Sequence, residues 1–258
     1  MSSFQGRFVW YELMTTDTGA ARKFYGSVVG WGSEDASVPG VEYTSFTADG
    51  VPVCGLMTLP DEVKKMGAPP SWSGYVAVDD VDAATARVKE LGGSVHMPPR
   101  DIPNVGRFSV VADPQRAAFM LFKSANPGQD QPADPTALGR IGWHELYATD
   151  WEKAFAFYSE MFGWQKDQAM DIGPMGIYQL FAYGGRQMGG MFNKPAGVPV
   201  NFWLYYFNVG DIDAAADRVT KGGGKILMGP MEVPGGGMFI IQGLDPQGAM
   251  FALVGKRG

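Results

Sequence analysis

Cysteine is almost missing from this chain. Cys54 stands alone among 258 residues, so no internal disulfide can form. Histidine is nearly as scarce: His96 and His144 are the only two, which leaves few imidazoles for a metal site or an acid–base centre. No run reaches the roughly eighteen apolar residues that a membrane-spanning helix requires, and the opening MSSFQGRF lacks the charged and apolar regions of a signal peptide. There is no basic run either. With a formal net charge of −6 and a pI near 5.0, the chain offers no electrostatic footprint for a phosphate backbone. The expectation is a cytoplasmic protein with neither a nucleic-acid nor a membrane partner. A lone thiol fits a reducing compartment.

What is present is a duplication. GRFVWYELMTTDTGAARKFYGSVVGW, from Gly6 to Trp31, returns 133 residues later as GRIGWHELYATDWEKAFAFYSEMFGW, from Gly139 to Trp164, identical at 12 of 26 positions. Chance would match one or two, so both halves descend from one module. The correspondence continues: Tyr43 and Phe46 answer to Tyr178 and Phe181, Gly55 to Gly190, Tyr75 to Tyr206, and Asp113-Pro114-Gln115 to Asp245-Pro246-Gln247. Residues 124–138, SANPGQDQPADPTAL, are rich in Pro, Asp and Gln and read as a linker between modules 1–123 and 139–258. Each module has an ordinary domain size.

Within a module, residues 8–15 alternate as a strand should, and Asp17 offers an N-cap to a helix over 20–29 that aligns Ala21, Phe24, Tyr25 and Val28. Strands are expected at 43–48, 51–59 and 75–78. A second helix is expected over 81–91, with Val81, Ala84, Val88 and Leu91 inward, and further strands at 94–97, 107–111 and 117–122. The repeating unit is βαβββ, used twice per module.

Three ordered motifs carry a resemblance: D-x-x-x-A-x-x-F-Y-x-x-x-x-G-W at Asp17 and Asp150, V-D-D-V-D-A-A at Val78, and D-P-Q-x-A at Asp113 and Asp245. With them the chain resembles the vicinal oxygen chelate superfamily, which includes glyoxalase I, extradiol dioxygenases and bleomycin and fosfomycin resistance proteins. The resemblance implies an α+β fold of tandem glyoxalase-like modules. In each, two βαβββ units would form an open eight-stranded cup with helices outside and the ligand inside. Because the duplication already supplies the pairing that shorter relatives achieve as dimers, the oligomeric state stays open.

The same resemblance assigns metal ligands to fixed positions, which here hold Trp10, Ser73 and Met120 in the first module and Trp143, Leu204 and Ala252 in the second. None carries an imidazole or carboxylate. Sliding each position by one residue recovers only His144. No metal and no cofactor is therefore expected, with a divalent metal as the runner-up.

Strand parity places Trp10, Glu12 and Met14 inside the first cup and Trp143, Glu145 and Tyr147 inside the second, with Leu13, Thr15, Leu146 and Ala148 on the helix side. A carboxylate in an apolar wall costs several kcal/mol unless paired. Glu12 and Glu145 are thus either ligand contacts, with catalytic candidacy as general bases, or strand anchors bonded to backbone amides or to Arg7 or Arg140. Tyr43, Trp72, Tyr178, Trp203 and Tyr205 are expected along the cup wall, and Tyr178, Trp203 and Tyr205 join the candidate ligand contacts. Arg107 is the best anion contact, against a reading as a solvated loop arginine. His144 is expected to pack outside the cup, His96 at a core or rim position, and Cys54 as a small buried hydrophobe.

Two functions fit these residues. One is a small-molecule-binding protein without the usual metal triad, holding a small organic ligand of aromatic or amphiphilic character and serving in metabolite or toxic-compound detoxification. The other is an enzyme, a glyoxalase-type lyase or a dioxygenase- or hydroxylase-like oxidoreductase, using Glu12 or Glu145 as base or an atypical metal site. FWLYYF and His144 make the second module the first place to look for a ligand.

Overall fold

The structure is a computed structural model and describes residues 4–38, 40–65, 67–126 and 134–258. The first repeat runs β1 (Phe8–Thr15), α1 (Thr18–Val28), β2 (Gly32–Asp35), β3 (Thr44–Ala48), β4 (Val51–Thr58), α2 (Asp61–Lys65) and β5 (Ser71–Ala77). It ends with α3 (Val81–Glu90), β6 (Ser94–Ile102), β7 (Gly106–Ala112) and β8 (Ala118–Ser124). The second runs β9 (Ile141–Ala148), α4 (Trp151–Phe162), β10 (Gln165–Asp171), β11 (Ile177–Tyr183) and β12 (Arg186–Asn193). After these come β13 (Phe202–Asp211), α5 (Ile212–Lys221), β14 (Lys225–Glu232), β15 (Phe239–Leu244) and β16 (Met250–Lys256). Of the expected linker, Ser124 closes β8, and 127–133 lie outside the described residues.

Two open, mixed, eight-stranded sheets result, ordered β2-β3-β4-β1-β5-β8-β7-β6 and β10-β11-β12-β9-β13-β16-β15-β14. In the first, β1 runs parallel to β4 and β5 to β8, while β2–β3, β3–β4, β6–β7 and β7–β8 pair antiparallel. The second sheet repeats the pattern. This is the α+β, tandem βαβββ architecture that the motifs imply.

Three local expectations change. The edge strand β2, Gly-Ser-Glu-Asp, is exposed at every residue and carries no apolar alternation, so it is invisible to periodicity; the strand at Tyr75 opens the second βαβββ unit instead of closing the first. In α3 the inward residues are Val81, Thr85 and Val88; Ala84 and Leu91 are only half-buried. Thr85 tolerates burial because its hydroxyl bonds the Val81 carbonyl at 2.6 Å and Ser109 Oγ at 2.7 Å. His96 is exposed on β6, an edge strand whose outer face meets solvent.

The described residues pack as two compact units. One holds residues of 4–9, 73–126 and 144–203, the other residues of 10–72, 134–143 and 204–258. Each unit therefore joins part of the first repeat to part of the second.

The motif residues account for the joining. In the unit containing Tyr25, Trp72 Nε1 donates to Tyr25 Oη at 2.9 Å, and Tyr25 Oη donates to Asp245 Oδ2 at 3.1 Å. Asp245 Oδ1 accepts the backbone amides of Gln247 and Ala249, both at 2.9 Å. In the other unit Trp203 Nε1 donates to Tyr158 Oη at 2.9 Å and Tyr158 to Asp113 Oδ2 at 3.1 Å, with Asp113 Oδ1 capping Gln115 and Ala117. The Trp of each G-W pair is also spent on structure: Trp31 Nε1 donates to the Gly139 carbonyl and Trp164 Nε1 to that of Gly6, each at 2.7 Å. Around these bonds pack Trp31, Phe46, Phe207 and Phe251 in one unit and Phe119, Phe162, Trp164 and Phe181 in the other. Burial raises the Asp113 and Asp245 carboxyls above their ordinary range, although the amide and tyrosine donors oppose the shift.

Candidate functional site

The alternation of β1 decides which side chains are spent on the core. Tyr11, Leu13 and Thr15 are buried, whereas Trp10 and Met14 on the opposite face remain half-buried, with Glu12 between them at 6% exposure. Parallel pairing sets Glu12 level with Gly55 and Met14 level with Met57 on β4. Residues paired this way share a face. Gly55 has a specific role there: a Cβ would overlap the Tyr43 hydroxyl, so only glycine lets the tyrosine ring lie across the strand. Tyr43 itself is held by the preceding loop, its amide donating to Ser37 Oγ at 3.1 Å and its carbonyl accepting from Ala36 N at 3.0 Å.

The result is a directed relay. Trp10 Nε1 donates to Tyr43 Oη at 3.0 Å, and the Tyr43 hydroxyl is hydrogen-bonded to the Glu12 carboxylate. Burial first, and the Glu12 charge second, push the Tyr43 hydroxyl far above its ordinary range, so it stays protonated and acts as the donor to Glu12.

The second repeat builds the same pair. Glu145, also 6% exposed, lies level with Gly190 on β12, and Tyr178 Oη donates to Glu145 Oε2 at 2.9 Å. A Cβ at Gly190 would again overlap the tyrosine ring. Each glutamate thus has a tyrosine hydroxyl as a partner, which is neither a backbone amide nor Arg7 or Arg140, the partners weighed from sequence.

Other expected site residues are placed elsewhere. Trp203 and Tyr205 lie in packed cores, Trp203 bonded to Tyr158 and Tyr205 edge-on to Tyr11 at 5.3 Å between ring centroids. Their strand neighbour Phe202 takes the Glu145 face instead, stacked on Tyr147. Trp72 is likewise core, packed on Tyr25 and Trp31. Arg107 sits on β7, not in a loop, with Nε and Nη2 on Asp82 at 2.7 and 2.9 Å and Nη1 on Asp101 at 2.9 Å. Two carboxylates already engage its guanidinium. His144 is buried, its Nδ1 2.6 Å from the Met188 carbonyl and its ring stacked 4.2 Å from Phe8. Burial lowers its pKa to about 4, so it is neutral at pH 7. Cys54 is fully buried, which pushes its thiol well up. Trp143 is half-buried on β9.

The positions that the resemblance assigns to metal ligands present indole, hydroxyl, thioether and aliphatic groups. Among the described residues no three His, Cys, Asp or Glu side chains gather as a cation would need. The residues present do not fit the family's metal. Also among the described residues, no helix is long and apolar enough to cross a membrane.

Sequence reasoning underrated Tyr43 and overlooked the two glycines. The signal was available: Tyr43 and Gly55 recur as Tyr178 and Gly190 at one common offset, which marks a conserved spacing between ring and cradle within this chain.

Comparison with known proteins agrees with this architecture. The sequence model of the Glyoxalase/Bleomycin resistance protein/Dioxygenase superfamily matches residues 7–121 and 140–253. "Putative glyoxylase CFP32" of Mycobacterium bovis is 37% identical over 253 residues, covering 97% of this chain and 95% of the relative. Anthracycline biosynthesis protein DauV of Streptomyces sp. strain C5 is 31% identical over 271 residues, covering 98% and 94%. Among solved structures, the Mn(II)-bound glyoxalase from Novosphingobium aromaticivorans superposes with a TM-score of 0.67 at 17% identity, covering 98% of this chain and 83% of that one. The 2,3-dioxygenase LapB from Pseudomonas sp. KL28 gives 0.66 at 12% identity, covering 100% and 94%. At those identities the structural likeness speaks for the fold alone. With its two matched modules and its full-length relatives, the chain belongs to the Glyoxalase/Bleomycin resistance protein/Dioxygenase superfamily.

Proposed function

We propose that this protein binds a small, flat, hydroxylated organic molecule, and that the glutamate–tyrosine pair orients it. The observation that carries the reading is the paired carboxylate and phenol laid over a glycine, built twice from equivalent residues: Glu12, Tyr43 and Gly55, then Glu145, Tyr178 and Gly190. A nearly buried carboxylate beside half-buried Trp10 and Met14 offers one strong acceptor in an apolar surround, the pattern of an organic-ligand site. Two relatives along the full chain, DauV and the Streptomyces peucetius protein DnrV, are named for anthracycline biosynthesis, which supports a planar polycyclic ligand. Detoxification or carriage of such a compound follows as the cellular role.

The test is titration with quinizarin, a dihydroxyanthraquinone, read by quenching of tryptophan fluorescence. Saturable quenching is expected, weakened at least about tenfold by Glu12→Gln, the scale of one charge-assisted hydrogen bond. Quenching that never saturates would sink the reading.

The name of the 37% identical relative supports a second reading, a lyase in which Glu12 or Glu145 removes a proton next to a carbonyl. Turnover of the methylglyoxal–glutathione adduct by protein dialysed against chelator, lost in both glutamate-to-glutamine variants, would establish it.

A further inference from the structure

The two glutamate–tyrosine pairs are equivalent in origin, but their surroundings differ at matched positions. Beside Glu145, Tyr147 lies stacked on Phe202 with ring centroids 4.6 Å apart and planes 11° from parallel. Phe192 closes edge-on against Tyr147 at 4.6 Å and tilts against Tyr178 at 5.7 Å. Tyr147 is 7% exposed and Phe192 3%. Beside Glu12, the residue matching Tyr147 is Met14, the residue matching Phe192 is Met57, and the residue matching Phe202 is Ser71. The register confirms the match, since Met14 pairs with Met57 as Tyr147 pairs with Phe192. Met14, Met57, Ser71, Trp10 and Tyr43 are all half-buried.

From this we infer that the ligand site is the one in the first repeat, and that the second repeat has filled the equivalent space with its own aromatic side chains. The inference rests on the binding function proposed above and adds which pair serves it and how many ligands one chain takes. Three aromatic rings against Glu145 and Tyr178 occupy the face where a flat ligand would lie. At Glu12 the same face carries two unbranched thioether side chains and a serine, all half-buried, which can adapt to a ring system. The plug also indicates the ligand's shape: what the second repeat supplies internally is a stack of planar rings, so the face formed by Met14, Met57 and Trp10 suits a planar aromatic molecule. This reverses the expectation that the more aromatic second module is the place to find a ligand, because there the aromatic residues fill the site.

The experiment is equilibrium dialysis of the full chain with quinizarin, which counts sites. One quinizarin per chain is expected for the wild type. Met14→Tyr with Met57→Phe should install the plug and weaken binding at least about tenfold, with an unchanged far-UV spectrum. In case that double variant does not fold, methyl NMR of isotope-labelled methionine in the wild type provides a second reading, with quinizarin expected to shift the Met14 and Met57 signals by ring current. Two quinizarin molecules per chain, full affinity in the plugged variant, or unmoved Met14 and Met57 signals in a protein that binds would overturn this inference and leave the binding function standing. Absence of saturable binding in the wild type would remove both.

Discussion

Tyr25 donates its hydroxyl to Asp245, 220 residues further along the chain, and receives the indole N–H of Trp72 on the same oxygen. Tyr158 does the same between Asp113 and Trp203. The F-Y, G-W and D-P-Q-x-A motifs that mark this chain as a family member are thus consumed in fastening one repeat to the other within each unit.

Tyr25→Phe and Tyr158→Phe should each destabilise the protein by about 2–4 kcal/mol, because removing one oxygen leaves both a buried carboxyl and a buried indole N–H without that partner. Urea denaturation measures the change. Tyr43→Phe, at a half-buried position where water can replace part of the lost bond to Glu12, should cost less, about 1–2 kcal/mol. Equal losses for Tyr43 and Tyr25 would contradict the assignment of the second to the core.

His144 predicts a loss of stability in acid. Burial depresses its pKa from 6.5 to about 4, so the folded state holds the neutral ring while the unfolded state takes up a proton below 6.5. The contribution is present above pH 6.5 and is lost as the pH falls towards 4, amounting to about 2.5 kcal/mol by pH 4.5. Asp113 and Asp245 act oppositely: their raised pKa values make protonation favour the folded state as the pH falls. Denaturant titrations at pH 7.5 and 4.5 should show a smaller acid loss in His144→Gln than in the wild type. Identical losses would refute the role.

Gly55→Ala should push the Tyr43 ring off Glu12 and abolish quinizarin quenching at a modest stability cost of about 1–3 kcal/mol. Gly190→Ala is expected to cost more, since Tyr178 is buried beneath Phe192 and has less freedom to move. Thermal melts of the two variants compare them directly. A wild-type melt for Gly190→Ala would show that the ring is not seated as described.

Thr85 and Ser109 share a buried hydrogen bond of 2.7 Å. Thr85→Val alone should cost about 1–2 kcal/mol, because the Thr85 hydroxyl donates to the Val81 carbonyl and its loss leaves the buried Ser109 hydroxyl without that acceptor, whereas adding Ser109→Ala should recover part of that loss. A double-mutant cycle in urea reads the coupling. Strict additivity would mean the hydroxyls do not depend on each other.

Much of this architecture was legible in the linear chain. Asp17, Asp150, Asp80 and Asp211 all cap helices as their motif positions suggest, each accepting a backbone amide two or three residues on. The alternation in β1 pointed Glu12 away from the core side. What escaped was local and has physical causes. An edge strand such as Gly32–Asp35 meets solvent and needs no apolar pattern. FWLYYF is apolar at every position because β13 is buried on both faces, so parity could not tell that Phe202, and not Trp203 or Tyr205, takes the glutamate face. Arg107 is an exposed cation whose partners, Asp82 and Asp101, are brought to it by helix and strand.

Sequence alone determined the duplication, the βαβββ units, the family and the mismatch between the expected ligand positions and metal chemistry, because each is a matter of residue identity at fixed spacing along one chain. Tertiary structure decided that each unit is assembled from parts of both repeats, that the glutamates are paired with tyrosines across glycines, and that aromatic rings pack beside one of those pairs where the other has methionines. Those facts depend on which side chains meet across strands and on the volume left between them, and neither is encoded in spacing until the chain has packed.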